Sequence, residues 1–285
     1  MVRNCLVSKF LLSFLFILGT FLPLKGFALE TPAKQVILVD YDTGNILFEK
    51  NADERMFPSS MSKIMTIYNV FQALKDGSLQ LKDNFRVSRK AWKKGGSKMF
   101  LRAGSRVNVE DLIRGVIVQS GNDASIVLAE GLSGSEGAFS DSLNENAKKL
   151  VMDSSNFLNA SGWPDPEHYT TARDLSKVTI ATIQNFPKYY HFYSQKTFTY
   201  AGIKQNNRNP ALYKDIGADG LKTGHTAAAG YGLAASAIRN GRRLVLILNG
   251  LKTSRQRSLE SERILDWGYR VFSNYKLFKP RQIVT

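Results

Sequence analysis

The β-forming segments of this chain lie at its two ends, and a long helix-forming stretch separates them. Residues 36–41 and 46–50 are rich in β-branched and aromatic side chains around Asp42-Thr43-Gly44-Asn45, a hairpin signal. Strands return at residues 218–223, 231–238 and 243–249, the last two joined by Arg239-Asn240-Gly241, a strong turn signal. Between them, residues 61–74, 111–132 and 139–152 read as helices, and residues 260–272 close the chain as an amphipathic helix. A sheet assembled from such pieces must bring distant parts of the sequence side by side. The regular β-α-β alternation of a doubly wound parallel sheet is missing, so the expected fold class is α+β. No Pro/Gly/Ser-rich linker and no internal repeat divides the chain.

The amino terminus reads as an export signal. Arg3 and Lys9 precede an almost wholly apolar run over residues 10–24, and Gly26-Phe27-Ala28 offers small residues at the two positions a signal peptidase reads. Cleavage after Ala28 starts the mature chain at Leu29. The run is shorter than the roughly 20 residues that span a bilayer comfortably, although an uncleaved anchor stays open. The one cysteine, Cys5, falls inside this segment and ahead of its apolar run, which argues against a disulfide framework, a cysteine nucleophile and a lipid attachment. His168, His191 and His225 have no spacing that suggests a metal cluster, so no cofactor is expected.

The formal charge is +15, or +12 once Arg3, Lys9 and Lys25 leave with the signal. Such an excess favours polyanions, which for an exported protein means anionic lipid head groups or acidic wall polymers. Arg86, Arg89, Lys90, Lys93, Lys94, Lys98 and Arg102 cluster with Trp92 among them. No nucleic-acid-binding signature accompanies the cluster, and a merely solvated basic face is the plain alternative.

Three short islands carry chemistry: Ser60-Met61-Ser62-Lys63, Ser120-Gly121-Asn122 and Lys222-Thr223-Gly224, in that order. They supply a hydroxyl nucleophile, two ammonium groups, a second hydroxyl and a carboxamide, the inventory for opening an amide or lactam through a covalent acyl-enzyme. The first and third match known serine-reactive motifs, and the second is a close variant of another. Each is weak alone; three in order are strong. Ser60 and Lys63 are three apart and share a helical face. Ser59 would place Ser62, not a lysine, at the third position. A base must be neutral part of the time, so burial and a second cation, for which Lys222 is the natural candidate, should lower the pKa of Lys63.

With these islands the chain resembles the D-alanyl-D-alanine carboxypeptidases, low-molecular-weight serine penicillin-binding proteins, from about Ala33 to about Phe272. The Asn-x-Ser-Gly at Asn159 to Gly162 and Thr-Thr-Ala-Arg-Asp at Thr170 to Asp174 add to the likeness. The resemblance implies an antiparallel sheet flanked by helices, with the active site between the sheet and an all-helical lobe. It implies a periplasmic enzyme that removes terminal D-alanine from peptidoglycan pentapeptides ending in D-Ala-D-Ala and is acylated by β-lactams. By the same resemblance Ser60 is the nucleophile and Lys63 its base. Ser120 relays a proton to the leaving amine, and Asn122 holds the substrate amide and orients Lys63. Lys222 supplies positive potential, and Thr223 and Arg257 bind the terminal carboxylate. Gly224 completes the strand motif, and the backbone amide of His225 joins that of Ser60 in the oxyanion hole. Arg255, two residues from Arg257, competes for the carboxylate-binding role.

The expected organisation is a signal peptide over residues 1–28, a catalytic domain over 29–274 and a short basic tail over 275–285. Larger members of the family carry a second, β-rich domain and an amphipathic membrane-binding helix, whereas this sequence stops at Thr285. Two other readings remain. A serine β-lactamase shares the islands, but its class A form adds a deacylating glutamate in a Glu-x-x-Leu-Asn setting that residues 156–160 do not supply. A binding or sensor protein would keep its acyl group, and the motifs do not fix the rate at which water removes it.

Overall fold

The computed structural model describes residues 29–275, so the leader and residues 276–285 of the tail lie outside the described residues. The first half contains β1 (Gln35–Asp40), β2 (Ile46–Lys50), a one-turn 3-10 helix at Ser59–Ser62, α1 (Lys63–Lys75), β3 (Asn84–Arg86), α2 (Arg89–Lys93), β4 (Arg106–Asn108), α3 (Val109–Ile117), α4 (Asn122–Ser133) and α5 (Glu136–Lys149). The second contains α6 (Ala172–Asn185), α7 (Pro187–Tyr190), β5 (Thr197–Tyr200), β6 (Ile203–Asn206), β7 (Ala218–Thr226), β8 (Gly230–Arg239), β9 (Arg242–Leu251) and α8 (Ser254–Val271).

The expected α+β architecture is present. A five-stranded antiparallel sheet runs β2-β1-β9-β8-β7, with the amino-terminal hairpin added to the carboxy-terminal strands through β1 and β9. Asn240-Gly241 forms the two-residue loop between the paired Arg239 and Arg242. All six residues of β1 are buried, because the sheet is covered on both faces. Ile37 and Val39 join the core shared with the helical lobe. The alternate residue Leu38 meets α8 on the other side, where a Cβ on Gly268 would lie 2.7 Å from it.

The helical lobe is organised around α1, which packs against α3, α4, α5 and α6. Its Ile64, Met65, Ile67, Val70 and Phe71 are fully buried, as befits a helix apolar on nearly all sides. The helix expected over 111–132 is instead two, α3 and α4, because the chain turns at residues 118–121. Ser120 takes φ +64° there. Helix α6 and the hairpins β3–β4 and β5–β6 were not anticipated; their strands are three or four residues long, too short to show a period. No described helix is long and apolar enough to cross a membrane.

Candidate active site

The strand motif sits on β7, the edge strand next to the 3-10 turn that carries Ser60. The approach is close: a Cβ on Gly224 would lie 2.8 Å from the carbonyl oxygen of Pro58, so the strand can pass the nucleophile's turn only as glycine. Lys63 is the first residue of α1, fully buried, and one helical turn carries its ammonium back to Ser60. Its Nζ lies 2.9 Å from Ser60 Oγ, 2.8 Å from Asn122 Oδ1 and 2.6 Å from the carbonyl oxygen of Ser161. Two of these three partners can only accept. A neutral Lys63 therefore spends both hydrogens on Asn122 and Ser161 and turns its lone pair toward the Ser60 hydroxyl.

Burial lowers the Lys63 pKa to about 7, and the charges of Arg208 and Lys94 push the same way while Asp123 opposes them. The second cation expected to do this was Lys222. Lys222 does lie close enough for the two ammonium groups to repel each other, and the structure adds Arg208 from the β6–β7 connection, where its Nη1 donates to Ser97 Oγ at 2.5 Å. Lys222 is itself buried and held well below the usual lysine range, by desolvation first and then by Lys63, Arg208 and Arg257.

Asn122, at the start of α4, accepts from Lys63 and donates through Nδ2 to the carbonyl oxygen of Gly95 at 2.8 Å. Both ends of its amide are thereby fixed. The left-handed backbone of this tripeptide falls on Ser120, and Gly121 is needed for space, since a Cβ there would lie 2.9 Å from Asp123 Oδ1. Ser120 is buried and its hydroxyl has no hydrogen-bond partner among the described residues. Asp123 was not singled out from sequence. Its buried carboxylate accepts from the amides of Met99 and Leu101 and so ties down the segment that walls the site.

Of the two arginines left open by sequence, Arg255 is exposed and Arg257 is buried. The Arg257 guanidinium lies 5.6 Å from the Tyr231 ring centroid, and its Nε has no acceptor among the described residues. Burial pulls its pKa down to about 10, which leaves it charged at neutral pH. A cation with no ion-pair partner among the described residues, with Lys222 and Arg208 near enough to feel it, makes this end of the site ready for a carboxylate. Ser60, Gly96, Ser97, Asn122, His225 and Thr226 line a cleft of about 230 Å³. His225 stacks its ring 3.9 Å from that of Tyr231.

His168 is a further residue that sequence reasoning left without a role. It is buried behind the nucleophile's turn, its Nδ1 accepts from the amide of Leu158 at 3.2 Å, and its Nε2–H therefore donates to Ser62 Oγ at 2.8 Å. Burial, with Lys63 adding to it and Asp165 opposing, lowers its pKa to about 4. The unfolded chain takes up this proton near pH 6.5, whereas the folded one resists until about pH 4. The stability supplied by neutral His168 is thus whole above pH 6.5 and falls by about 3 kcal/mol as the pH drops through 4. Urea unfolding at pH 7 and pH 4.5 should show this fall in the parent and a smaller one in His168→Gln. Equal falls in the two proteins would mean that another group titrates. Among the described residues no cluster of His, Asp and Glu is placed to hold a metal ion.

Comparison with known proteins decides the family. Residues 25–253 match the family described as D-alanyl-D-alanine carboxypeptidase, peptidase S11. The chain belongs to this family. It is 43% identical over 255 residues to D-alanyl-D-alanine carboxypeptidase DacC of Escherichia coli, covering 87% of this chain and 64% of that one. DacA of Haemophilus influenzae is 41% identical, with 88% and 64% covered. The chain thus spans a little under two thirds of the length of these carboxypeptidases. Penicillin binding protein 6B of Escherichia coli superposes with a TM-score of 0.86 at 37% identity, over 91% of this chain and 84% of that one. D-alanyl-D-alanine carboxypeptidase DacD of Francisella tularensis gives 0.85 at 34% identity, over 90% and 75%. Penicillin-binding protein D2 of Listeria monocytogenes, solved in an ampicillin-bound form, gives 0.78 at 29% identity, over 85% and 99%.

Proposed function

We propose that the protein is an exported serine carboxypeptidase that removes the terminal D-alanine from peptidoglycan pentapeptides through an ester on Ser60. The observation that carries this reading is the hydrogen-bonding of Lys63, which leaves one direction for its lone pair, toward Ser60. Family membership and the ampicillin-bound Listeria relative support acylation by β-lactams at the same serine. The leader over residues 1–28 directs the protein to the periplasm.

In this mechanism Lys63 takes the Ser60 proton and Oγ attacks the carbonyl carbon of the penultimate D-alanine. The oxyanion rests on the backbone amides of Ser60 and His225, which line one cleft. Ser120, whose hydroxyl has no partner among the described residues, hands its proton to the departing amine and receives in exchange the one Lys63 took from Ser60, which leaves Lys63 neutral again. Water then cleaves the ester, with Lys63 again accepting a proton. Asn122 has both ends of its amide engaged within the protein, so its first task is to hold Lys63 in place.

The terminal carboxylate lies between Thr223 and Arg257, on the side of Lys222. Its charge restores the proton affinity of Lys222, and a charged Lys222 keeps Lys63 neutral. Arg257→Gln should lower kcat/KM for the pentapeptide by roughly 10- to 100-fold, as expected for a charge-assisted hydrogen bond. The parent should discriminate by a similar factor against the same peptide amidated at its terminus, and the variant should barely discriminate. Full discrimination by the variant would place the carboxylate elsewhere.

The reading as a whole is tested by incubating the protein with a soluble pentapeptide ending in D-Ala-D-Ala and, separately, with penicillin. Free D-alanine and a penicilloyl adduct mapped by mass to the peptide holding Ser60 are expected. A stable adduct with no D-alanine release would mark a sensor, and rapid penicillin turnover without peptide cleavage would mark a β-lactamase.

A further inference from the structure

Between Asp83 and Glu110 the sequence holds eight basic residues and not one acidic residue. The structure gathers part of this run around α2, at the rim of the cleft. Three of the lysines fix the surface in place. Lys90 pairs with Glu136 at 2.7 Å, Lys98 donates to the carbonyl oxygen of Trp92 at 2.6 Å, and Lys94 lies 4.1 Å from the centroid of the Trp163 ring. Gly96, Ser97 and Trp163 then form part of the cleft wall, so the basic surface and the cleft are continuous.

What the structure leaves unused lies beside that rim. Arg89 and Lys93 are exposed and have no hydrogen-bond or ion-pair partner among the described residues. Trp92 is 45% exposed, and its indole N–H has no acceptor there. A merely solvated face needs charge but gains nothing from an open indole, which exposes apolar surface to water. An aromatic face flanked by cations suits a ligand with both C–H faces and carboxylates, such as the sugars and lactyl-peptide groups of a wall strand.

We propose that this surface is an exosite for the anionic glycopeptide polymer whose stem peptide enters the cleft, a refinement that rests on the function proposed above. Its continuity with the cleft favours this partner. A membrane lying against the same rim would cover the opening through which the peptide must pass. A polymer strand leaves the cleft along it.

The test compares the parent with Arg89→Glu/Lys93→Glu and with Trp92→Ala on two substrates, a soluble pentapeptide and insoluble pentapeptide-rich sacculi. Hydrolysis of the soluble peptide should stay within about twofold in both variants. D-Alanine release from sacculi, and co-sedimentation with them at low salt, should fall about tenfold, the lower end of what charge focusing does to local substrate concentration. Raising the salt should reduce the parent's binding toward that of the charge-reversed variant. Equal effects on both substrates, or none on sacculi, would overturn the exosite. So would loss of binding to phosphatidylglycerol vesicles with sacculus binding unchanged, which would assign the surface to lipid. Failure of the parent to release D-alanine from the soluble peptide would instead count against the carboxypeptidase reading, and sedimentation would still report on the surface.

Discussion

Lys63→Met will slow acylation of Ser60 by a fluorescent penicillin by about 10³- to 10⁴-fold, the upper range for loss of a general base. The side chain is fully buried and keeps its length, so the loss will not come from a collapsed site. In the parent, acylation follows the neutral amine. With a pKa of about 7, the rate should level off above pH 7 and fall roughly tenfold for each unit below it. The same substitution has a signature in stability. Lys63 titrates near 10.5 in the unfolded chain and about 7 in the folded one, so its contribution is full above 10.5 and is lost as the pH falls through 7. Between pH 9 and pH 7 the parent should lose roughly 2 kcal/mol relative to the variant, because groups common to both cancel in the difference. Urea unfolding of both proteins at the two pH values measures it. Labelling of the variant at more than a tenth of the parent rate would transfer the role of base to Lys222.

How much of this could be read beforehand depends on the range over which each residue acts. Ser60 and Lys63 are neighbours on one turn, and spacing alone predicts their contact. The sheet was legible because its central strands are runs of β-branched and apolar residues, buried on both faces and set off by turn signals, and the order of the three islands carried the family. Arg208, Asp123 and His168 were missed for a common reason. Each acts through groups far away in sequence: Arg208 reaches Ser97, Asp123 holds the amides of Met99 and Leu101, and His168 meets Ser62. No local period announces such pairs. The break between α3 and α4 was hidden differently. Apolar patterning continues across residues 112–118, and the turn is imposed by the site itself, which needs Ser120 in the left-handed region and Asn122 at a helix start. Arg257 was separated from Arg255 only by the rotation of α8.

Gly162→Ala should be the most damaging substitution outside the islands. A Cβ at this position would lie 1.8 Å from the carbonyl oxygen of Ser59 and 3.0 Å from Ser62 Oγ, and Gly162 has φ +72°. The 1.8 Å contact is with backbone, on the turn that carries the nucleophile, so no rotamer change relieves it. The loop cannot swing away freely either, because Asn159 Oδ1 accepts from the amides of Ser161 and Trp163. Left-handed strain in alanine costs about 1 kcal/mol and overpacking about 1–3 kcal/mol. A total near 3 kcal/mol is expected, read from the urea midpoint. Gly134→Ala provides the contrast: its φ is +75° but nothing lies within 4 Å of the added methyl, so only the strain of about 1 kcal/mol should appear. Activity separates the two further. The Ser161 carbonyl, one residue before Gly162, anchors Lys63 at 2.6 Å, and a displacement of even about 1 Å at such a group can cost 10²-fold in rate. Gly162→Ala should therefore lose about that factor in penicillin acylation while Gly134→Ala stays near the parent. Full acylation by a folded Gly162→Ala protein would mean that the loop relaxes without moving Lys63, and that Asn122 alone holds the base.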